Sequence, residues 1–345
     1  MSKRSPTVID VAKAAGVSIA TVSRALNGGK VSLRAKAKVD EAIRTLGYRR
    51  NSLARSLVTG RSGVVGVLIP DVMGPLYAQI ARGIEDVLGS MGMHFIVITD
   101  NRSVRQERKA IEILLGRRVD GLVLIGSRLS AAELSRLAGE VPVVHVQRES
   151  EDEGDAPIVV LDNHGGTCAA LNHLYDCGHR AIAHVTGVRR DGQERKESYL
   201  AFMQGRGLTP ILVPGDSTEA GGEAAAQALL ASSVSAVYCT NDRTAAGLYR
   251  ALKARSVRVP QELSIVGFDD LPWVQYLDPP LTTVRQDGRE MGRVAARRAL
   301  AAIAGDQRPD TLKVGAALVV RASVARLVPK EVMSQETAAP SPQSG

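Results

Sequence analysis

The sequence predicts a small all-α head carrying a helix-turn-helix, joined to an α/β body of two doubly wound lobes. Three observations predict it. Residues 1–62 hold only short segments with apolar residues at helical spacing. From Gly63 onward, continuous apolar runs alternate with helical patterns, as buried parallel strands and their crossover helices do. Charge divides at the same place. Residues 1–61 hold 13 Lys+Arg against 3 Asp+Glu, a net of +10, and the rest holds 31 against 33, a net of −2. A basic head on a near-neutral body implies a polyanionic partner for the head alone. A membrane surface would also attract that charge, but the segment has no strongly amphipathic helix with bulky apolar residues.

In the head, helix one is expected over Val8–Ala15, capped by Thr7 and ended by Gly16, a residue that tolerates a left-handed turn. Val17 to Asn27 forms the second helix, with Ser18 as its cap. Val22, Ala25 and Leu26 give it a buried face, and Thr21, Ser23, Arg24 and Asn27 look outward. Gly28-Gly29 break the chain. A third helix runs from Leu33 to Leu46, behind Ser32 and up to Gly47. A helix, a glycine turn and a polar-faced second helix can enter a DNA major groove. The spacing alone is equally compatible with an ordinary helical hairpin. The core is small, so the head alone should be marginally stable.

Thr7-Val8-Ile9-Asp10-Val11-Ala12, Ala15-Gly16-Val17-Ser18, Thr21-Val22-Ser23-Arg24-Ala25-Leu26-Asn27 and Leu46-Gly47-Tyr48 resemble the head of the lactose-repressor (LacI/GalR) family of bacterial transcription regulators. The resemblance extends over nearly the whole chain. It implies that Ile19, Ala20 and Arg24 read bases. Arg24 can donate two hydrogen bonds to guanine, and Ile19 and Ala20 can make only apolar contacts, for instance with thymine methyls. Thr7, Ser18, Thr21, Asn27 and Ser32 fall where the family contacts phosphates, which fixes register without reading sequence.

Residues 49–62 read on their own as a basic linker. The resemblance implies instead a hinge helix that folds on operator DNA, with Asn51, Leu53, Ala54, Arg55 and Leu57 at the minor groove and Leu57 wedged between bases. Arg50 stands where the family usually has proline, which makes the hinge entry less rigid and adds a phosphate-binding charge.

In the body, strands are expected at Val64–Pro70, Phe95–Thr99, Gly121–Ile125 and Val141–Val146, with helices over Tyr77–Met91 and Glu107–Leu115. A second lobe is expected to begin near Ile158–Asp162 and continue through strands at 181–185, 211–213, 236–239 and 265–268. The lobes resemble a periplasmic sugar-binding protein, in which the chain crosses between lobes three times. That likeness returns the helix Met291–Ile303 to the first lobe and Leu318–Arg321 to the second. The domains are then residues 1–48, 49–62 and 63–330. Lobe 1 takes 63–157 and 288–316, and lobe 2 takes 158–287 and 317–330. Residues 331–345 are polar and expected to be disordered.

His164, Cys168, His173, Cys177, His179 and His184 crowd a short stretch, but His164/Cys168 and His173/Cys177 face opposite sides of one helix and cannot share a tetrahedral metal site. No metal or cofactor is expected. The sequence shows no nucleophile elbow, paired-acid motif or P-loop, and Gly60, Gly63 and Gly66 precede a strand rather than follow one. Binding is expected, not catalysis. Met1-Ser2-Lys3-Arg4 leads into no apolar h-region, and no stretch reaches transmembrane length. The odd set Cys168, Cys177 and Cys239 points to free thiols in a reducing compartment. A cytoplasmic protein with no membrane partner is expected.

Ligands of such bodies bind where the carboxyl ends of the strands converge. Polar residues after expected strands are the candidates: Asp71, Gln147, Arg148, Arg195, Asn241, Asp242 and Asp269. The resemblance selects Arg195, Asn241 and Asp269 as the core of an effector site suited to vicinal hydroxyls. Three departures bear on specificity. Gln147 replaces a common aspartate, Ser198 a usual glycine, and Ser217 lies near a position that is often a stacking aromatic. Arg189 and Arg190 are expected near the cleft, which leaves a sugar, a sugar phosphate and a sugar acid open. The resemblance thus implies a homodimeric repressor that binds a pseudo-palindromic double-stranded operator and answers to a small sugar-like effector, as inducer or corepressor. A periplasmic-type solute-binding protein would fit the body but not the basic head.

Overall fold

The computed structural model describes residues 6–26, 29–48, 60–149 and 154–327. The chain divides into two compact units, residues 1–62 and 63–345. The expected tail and hinge helix, and Asn27, lie outside the described residues.

In the head, α1 (Val8–Ala15), α2 (Ile19–Leu26) and α3 (Leu33–Leu46) close on Val11, Ala12, Ala15, Val22, Val39 and Ala42, with Val8, Val17, Leu26, Ile43 and Leu46 around them. Thr7 and Asp10 form a reciprocal capping box at the start of α1. Gly16 at φ 63° and Gly47 at φ 61° end α1 and α3 in the left-handed conformation, which satisfies their last carbonyls.

The body holds two six-stranded sheets. The first has the order β11-β5-β4-β3-β1-β2, all parallel, from β1 (Val64–Ile69), β2 (His94–Thr99), β3 (Gly121–Ile125), β4 (Val143–Val146), β5 (Ile158–Leu161) and β11 (Thr311–Val314). The second has the order β12-β10-β9-β8-β6-β7, from β6 (Ile182–Val185), β7 (Ile211–Val213), β8 (Ala236–Cys239), β9 (Ser264–Asp269), β10 (Thr282–Gln286) and β12 (Ala316–Val319). Only β12 runs antiparallel, against β10.

The expected lobe boundary is corrected here. Ile158–Leu161 pairs with β4 and β11 and so belongs to the first sheet. The chain crosses after it, into α7 (Asn163–Asp176). It returns after Gln286 through α11 (Gly288–Ile303) and crosses again at Gly315, between β11 and β12. The other crossover helices are α4 (Pro75–Ser90), α5 (Val104–Gly116), α6 (Ala131–Ala138), α8 (Arg190–Gly205), α9 (Glu219–Leu230) and α10 (Asp242–Ala254). Ser103, Ser130, Asp162, Thr218, Asn241 and Asp287 cap six of these helices through side-chain oxygens. α4 and α11 cross on glycine: a Cβ at Gly83 would lie 2.0 Å from the Arg289 carbonyl, and one at Gly292 2.0 Å from that of Ile80.

Candidate functional site

On the head, the outward face of α2 presents Ile19, Ala20, Ser23 and Arg24 to solvent, with Ile19 51% exposed. Val22 pins the opposite face in the core. The Ser18 hydroxyl accepts from the Thr21 amide at 3.1 Å and lies 2.9 Å from the Thr21 hydroxyl, so both side chains order the start of the helix. Arg24 Nε donates to the Ala20 carbonyl at 3.3 Å, which lays the guanidinium along the exposed face. Thr7 and Ser32 spend their hydroxyls as helix caps on Asp10 and Ala35.

In the body, a cleft opens between the lobes at the carboxyl ends of both sheets. Its inner cavity, about 60 Å³, is lined by Tyr77, Ile125, Gln147, Arg148 and Glu149 from the first lobe. Asn163, Arg189, Arg190, Asp191 and Glu194 line it from the second. Just behind this wall lies Arg195, 1% exposed, with its guanidinium carbon 3.7 Å from the centre of the Phe268 ring. Its Nε donates to Asn163 Oδ1 at 3.0 Å and its Nη1 to the Thr240 carbonyl at 2.7 Å. Nη2 is buried without a hydrogen bond, 3.5 Å from Asp191.

Asp269, at the end of β9, lies 3.8 Å from Arg195 Nη1 and accepts from Gln286 Nε2. Burial pushes its carboxyl up to about 6, although Arg195 opposes the shift. The other oxygen-bearing end of that amide, Gln286 Oε1, is buried with no hydrogen-bond partner. Burial also works against ionisation of Asp191, but Arg195 and Arg189 outweigh it and hold that carboxyl below its ordinary value.

Gln147 and Arg148 therefore line the inner cavity, and Arg195 meets Asp269 behind its second-lobe wall. Gln147 adopts φ 49° at the end of β4, while Arg148 folds back onto the Leu129 carbonyl of its own lobe at 3.3 Å. Asn241 caps α10 through Thr244 and donates to the Ser217 carbonyl at 3.1 Å, so both ends of its amide are engaged. Asp71 caps its own loop at the Met73 amide, away from the cavity lining. Asp242 corrects its expected role as an effector ligand. It is fully buried, its oxygens accept from the Leu271 amide at 2.8 Å and the Thr283 hydroxyl at 2.5 Å, and burial raises its pKa well above its ordinary value. It braces the β9 turn and leaves no oxygen for a ligand.

Sequence reasoning missed Asn163, Tyr77, Asp191 and Gln286. Asn163 directly follows an expected strand, the rule that found Asp71, and could have been found by it. Gln286 ends a strand with no apolar run in its sequence. Two of the crowded histidines, His179 and His184, are buried in the second lobe and serve its packing. His184 stacks on Tyr238 with ring centres 4.8 Å apart and is held neutral by burial, its pKa lowered to about 4. His179 bridges Ser235 and the Ala325 carbonyl.

Residues 7–51 match the family model of bacterial regulatory proteins, lacI family, and residues 171–324 match a periplasmic binding protein-like domain. The ribose operon repressor of Halalkalibacterium halodurans is 34% identical over 84% of this chain and 88% of its own. The transcriptional repressor CytR of Escherichia coli is 34% identical over 84% and 87%. A lac repressor dimer bound to operator and the anti-inducer ONPF superposes with a TM-score of 0.83 at 27% identity, over 93% of this chain and all of that one. A ribose-bound regulator from Enterococcus faecium gives 0.69 at 27% identity, over 77% of this chain and all of that one. The chain belongs to the lacI family of bacterial regulatory proteins, transcription regulators that join a helix-turn-helix DNA-binding head to a periplasmic-binding-protein-like body.

Proposed function

We propose that this chain is a homodimeric repressor that reads a pseudo-palindromic operator through α2 and is controlled by a small sugar-like effector held between the lobes. The observation that carries the effector site is a pair of orphaned atoms. Arg195 Nη2, a donor, and Gln286 Oε1, an acceptor, are both buried without hydrogen bonds, and both side chains meet Asp269 at Oδ1. Buried polar atoms are normally satisfied, and a ligand hydroxyl, which donates and accepts, satisfies both kinds. Arg195, Asp269 and Gln286 are therefore the effector residues of the second lobe, and Gln147 lines the inner cavity from the first. The relatives' names support a sugar, since one is a ribose operon repressor and a similar structure holds ribose.

On the DNA side, Arg24, Ile19 and Ala20 read bases, and Thr7, Ser18, Thr21 and Ser32 sit at phosphates. Asn27, Asn51, Leu53, Ala54, Arg55 and Leu57, outside the described residues, supply a phosphate contact and the hinge. The regulator works in the cytoplasm and joins the nucleoid when bound to operator. Effector and operator bind one two-state equilibrium, so each changes the other's affinity. A thermal-shift screen of sugars, sugar phosphates and sugar acids identifies the effector, because a ligand of the folded state raises the melting temperature. An operator titration then shows whether it releases or strengthens binding. A hit that leaves operator affinity unchanged would refute regulation through the cleft.

A further inference from the structure

We infer that the cleft is built for an effector with an anionic group, a phosphate or carboxylate, held between Arg102 of the first lobe and Arg189 with the Arg190 amide of the second. This rests on the cleft being the effector site and specifies the chemistry of one end of that effector. The outer part of the cleft is a cavity of about 730 Å³ whose charged lining is Arg102, Arg128, Arg189 and Arg190 with Glu149, Glu194 and the exposed Glu197. These arginines are not equivalent. Arg128 is committed to Asp100 at 3.2 Å and Glu107 at 3.9 Å. Arg102 is exposed and donates to the Tyr77 hydroxyl at 3.1 Å; Asp100 accepts from its backbone amide and feels its charge, but among the described residues no carboxylate lies within ion-pair distance of its guanidinium. Arg189 uses Nη2 on Asp191 at 2.8 Å, and its Nε is buried without a partner.

The backbone points the same way. Arg189 is the cap residue of α8 and, with only donors in its side chain, cannot cap it. The Arg190 amide donates instead to Glu149 Oε2, a carboxylate reaching from the opposite lobe, at 3.4 Å. Glu149 shows what chemistry this helix start accepts, and its long bond leaves it replaceable by a group with more oxygens. The nearby Glu194 is occupied by Asn163 at 2.7 Å and Arg190 Nε at 3.4 Å. With Arg195, Asp269 and Gln286 taking hydroxyls, the cleft fits a polyhydroxylated molecule with one anionic end.

The test uses the full chain and inorganic phosphate or acetate as probes, with chloride at matched ionic strength as reference. Melting temperature and titration calorimetry are read for wild type, Arg102→Gln, Arg189→Gln and Glu149→Gln. Phosphate or acetate, whichever chemistry the site takes, should stabilise wild type beyond chloride. Either arginine variant should bind it about tenfold more weakly, the loss of one charge-assisted contact. Glu149→Gln should bind it more tightly, because the competing carboxylate is gone. All four share one basic head, so binding there cancels. No stabilisation beyond chloride, or equal binding in wild type and Arg102→Gln, would overturn the inference. Arg102 is exposed, so its variant decides even if Arg189→Gln fails to fold. A neutral sugar whose binding needs Asp269 but not Arg102 would overturn the anionic end and leave the cleft as effector site. An anion bound through Arg102 without effect on operator affinity would do the reverse.

Discussion

Asp269 combines a backbone at φ 121° with a carboxyl pushed up to about 6 by burial, two local costs in one residue. Such strain persists where surrounding structure overdetermines it, and it clusters at ligand sites. Asp270 beside it, at φ 57°, is tied down by Arg285 at 2.7 Å and Arg321 at 2.6 Å. An effector hydroxyl donating to ionised Asp269 binds fully above pH 6. As pH falls through about 6 the carboxyl must lose a proton on binding, so calorimetry should show affinity falling toward tenfold per pH unit. The contribution of Asp269 to stability without effector has the opposite sign. Its folded pKa is raised above the ordinary 3.8, so that contribution is present below 3.8 and lost as pH rises through about 6. Asp269→Asn should abolish this pH dependence and cost about 1.5–3 kcal/mol of effector affinity at pH 7. On the head, Arg24→Ala should weaken operator binding by about 1–3 kcal/mol and relax preference at one base pair per half-site, measured by anisotropy on operator variants. Equal loss on random DNA would reduce Arg24 to a phosphate contact. At this scale the sequence is legible where a periodic pattern decides which side chains face out, as for Ser23 and Arg24. It is less so after strands, where Asn241 and Asp242 share the position of a ligand residue but turn their oxygens onto Thr244, Leu271 and Thr283.

The elements were readable wherever burial demands an apolar run. Val64–Ile69 and Gly121–Ile125 are buried along almost their whole length, and their sequences contain nothing polar. Thr311–Val314 and Thr282–Gln286 carry polar residues and show no such run, the first at a sheet edge. An apolar run also does not say which sheet it joins, which is why Ile158–Leu161 was expected in the wrong lobe. Helix crossings are another silent feature. Gly83 and Gly292 let α4 and α11 approach until each backbone touches the other, and no local pattern marks them as different from Gly89 in the same helix. Gly292→Val should lower stability by about 1–3 kcal/mol or more, since the clash is with backbone that cannot swing aside. Gly89→Ala meets no atom within 4 Å and should raise it by roughly 0.5–1 kcal/mol through helix propensity. Denaturant melts of the two variants check this pair. A neutral Gly292→Val would mean the two helices can part without cost.

At the scale of the whole molecule, the net of +10 in residues 1–61 against −2 in the remainder assigns the two ligands to different physics. Operator binding releases counterions from DNA, so its affinity should fall steeply with salt, by a log–log slope of about −0.9 per phosphate neutralised. Effector binding in a cleft whose arginines are largely matched by carboxylates lacks that polyelectrolyte term, and its slope should be far smaller. The two events can then be titrated separately and their coupling measured without ambiguity. A ligand shifts a two-state protein only by its differential affinity for the states, so saturating operator should change the effector's dissociation constant about 5- to 150-fold, the usual range of allosteric coupling. An inducer should bind more weakly to the operator complex and a corepressor more tightly. The same factor must appear in operator affinity at saturating effector. On the proposed reading, in which Asp269 holds the ligand and the lobes carry the switch, Asp269→Asn should weaken effector binding to free and operator-bound protein alike and so leave this factor nearly unchanged. Effector affinity that is identical on free and operator-bound protein, in matched salt, would uncouple the cleft from the head and reduce the body to a passive binding module.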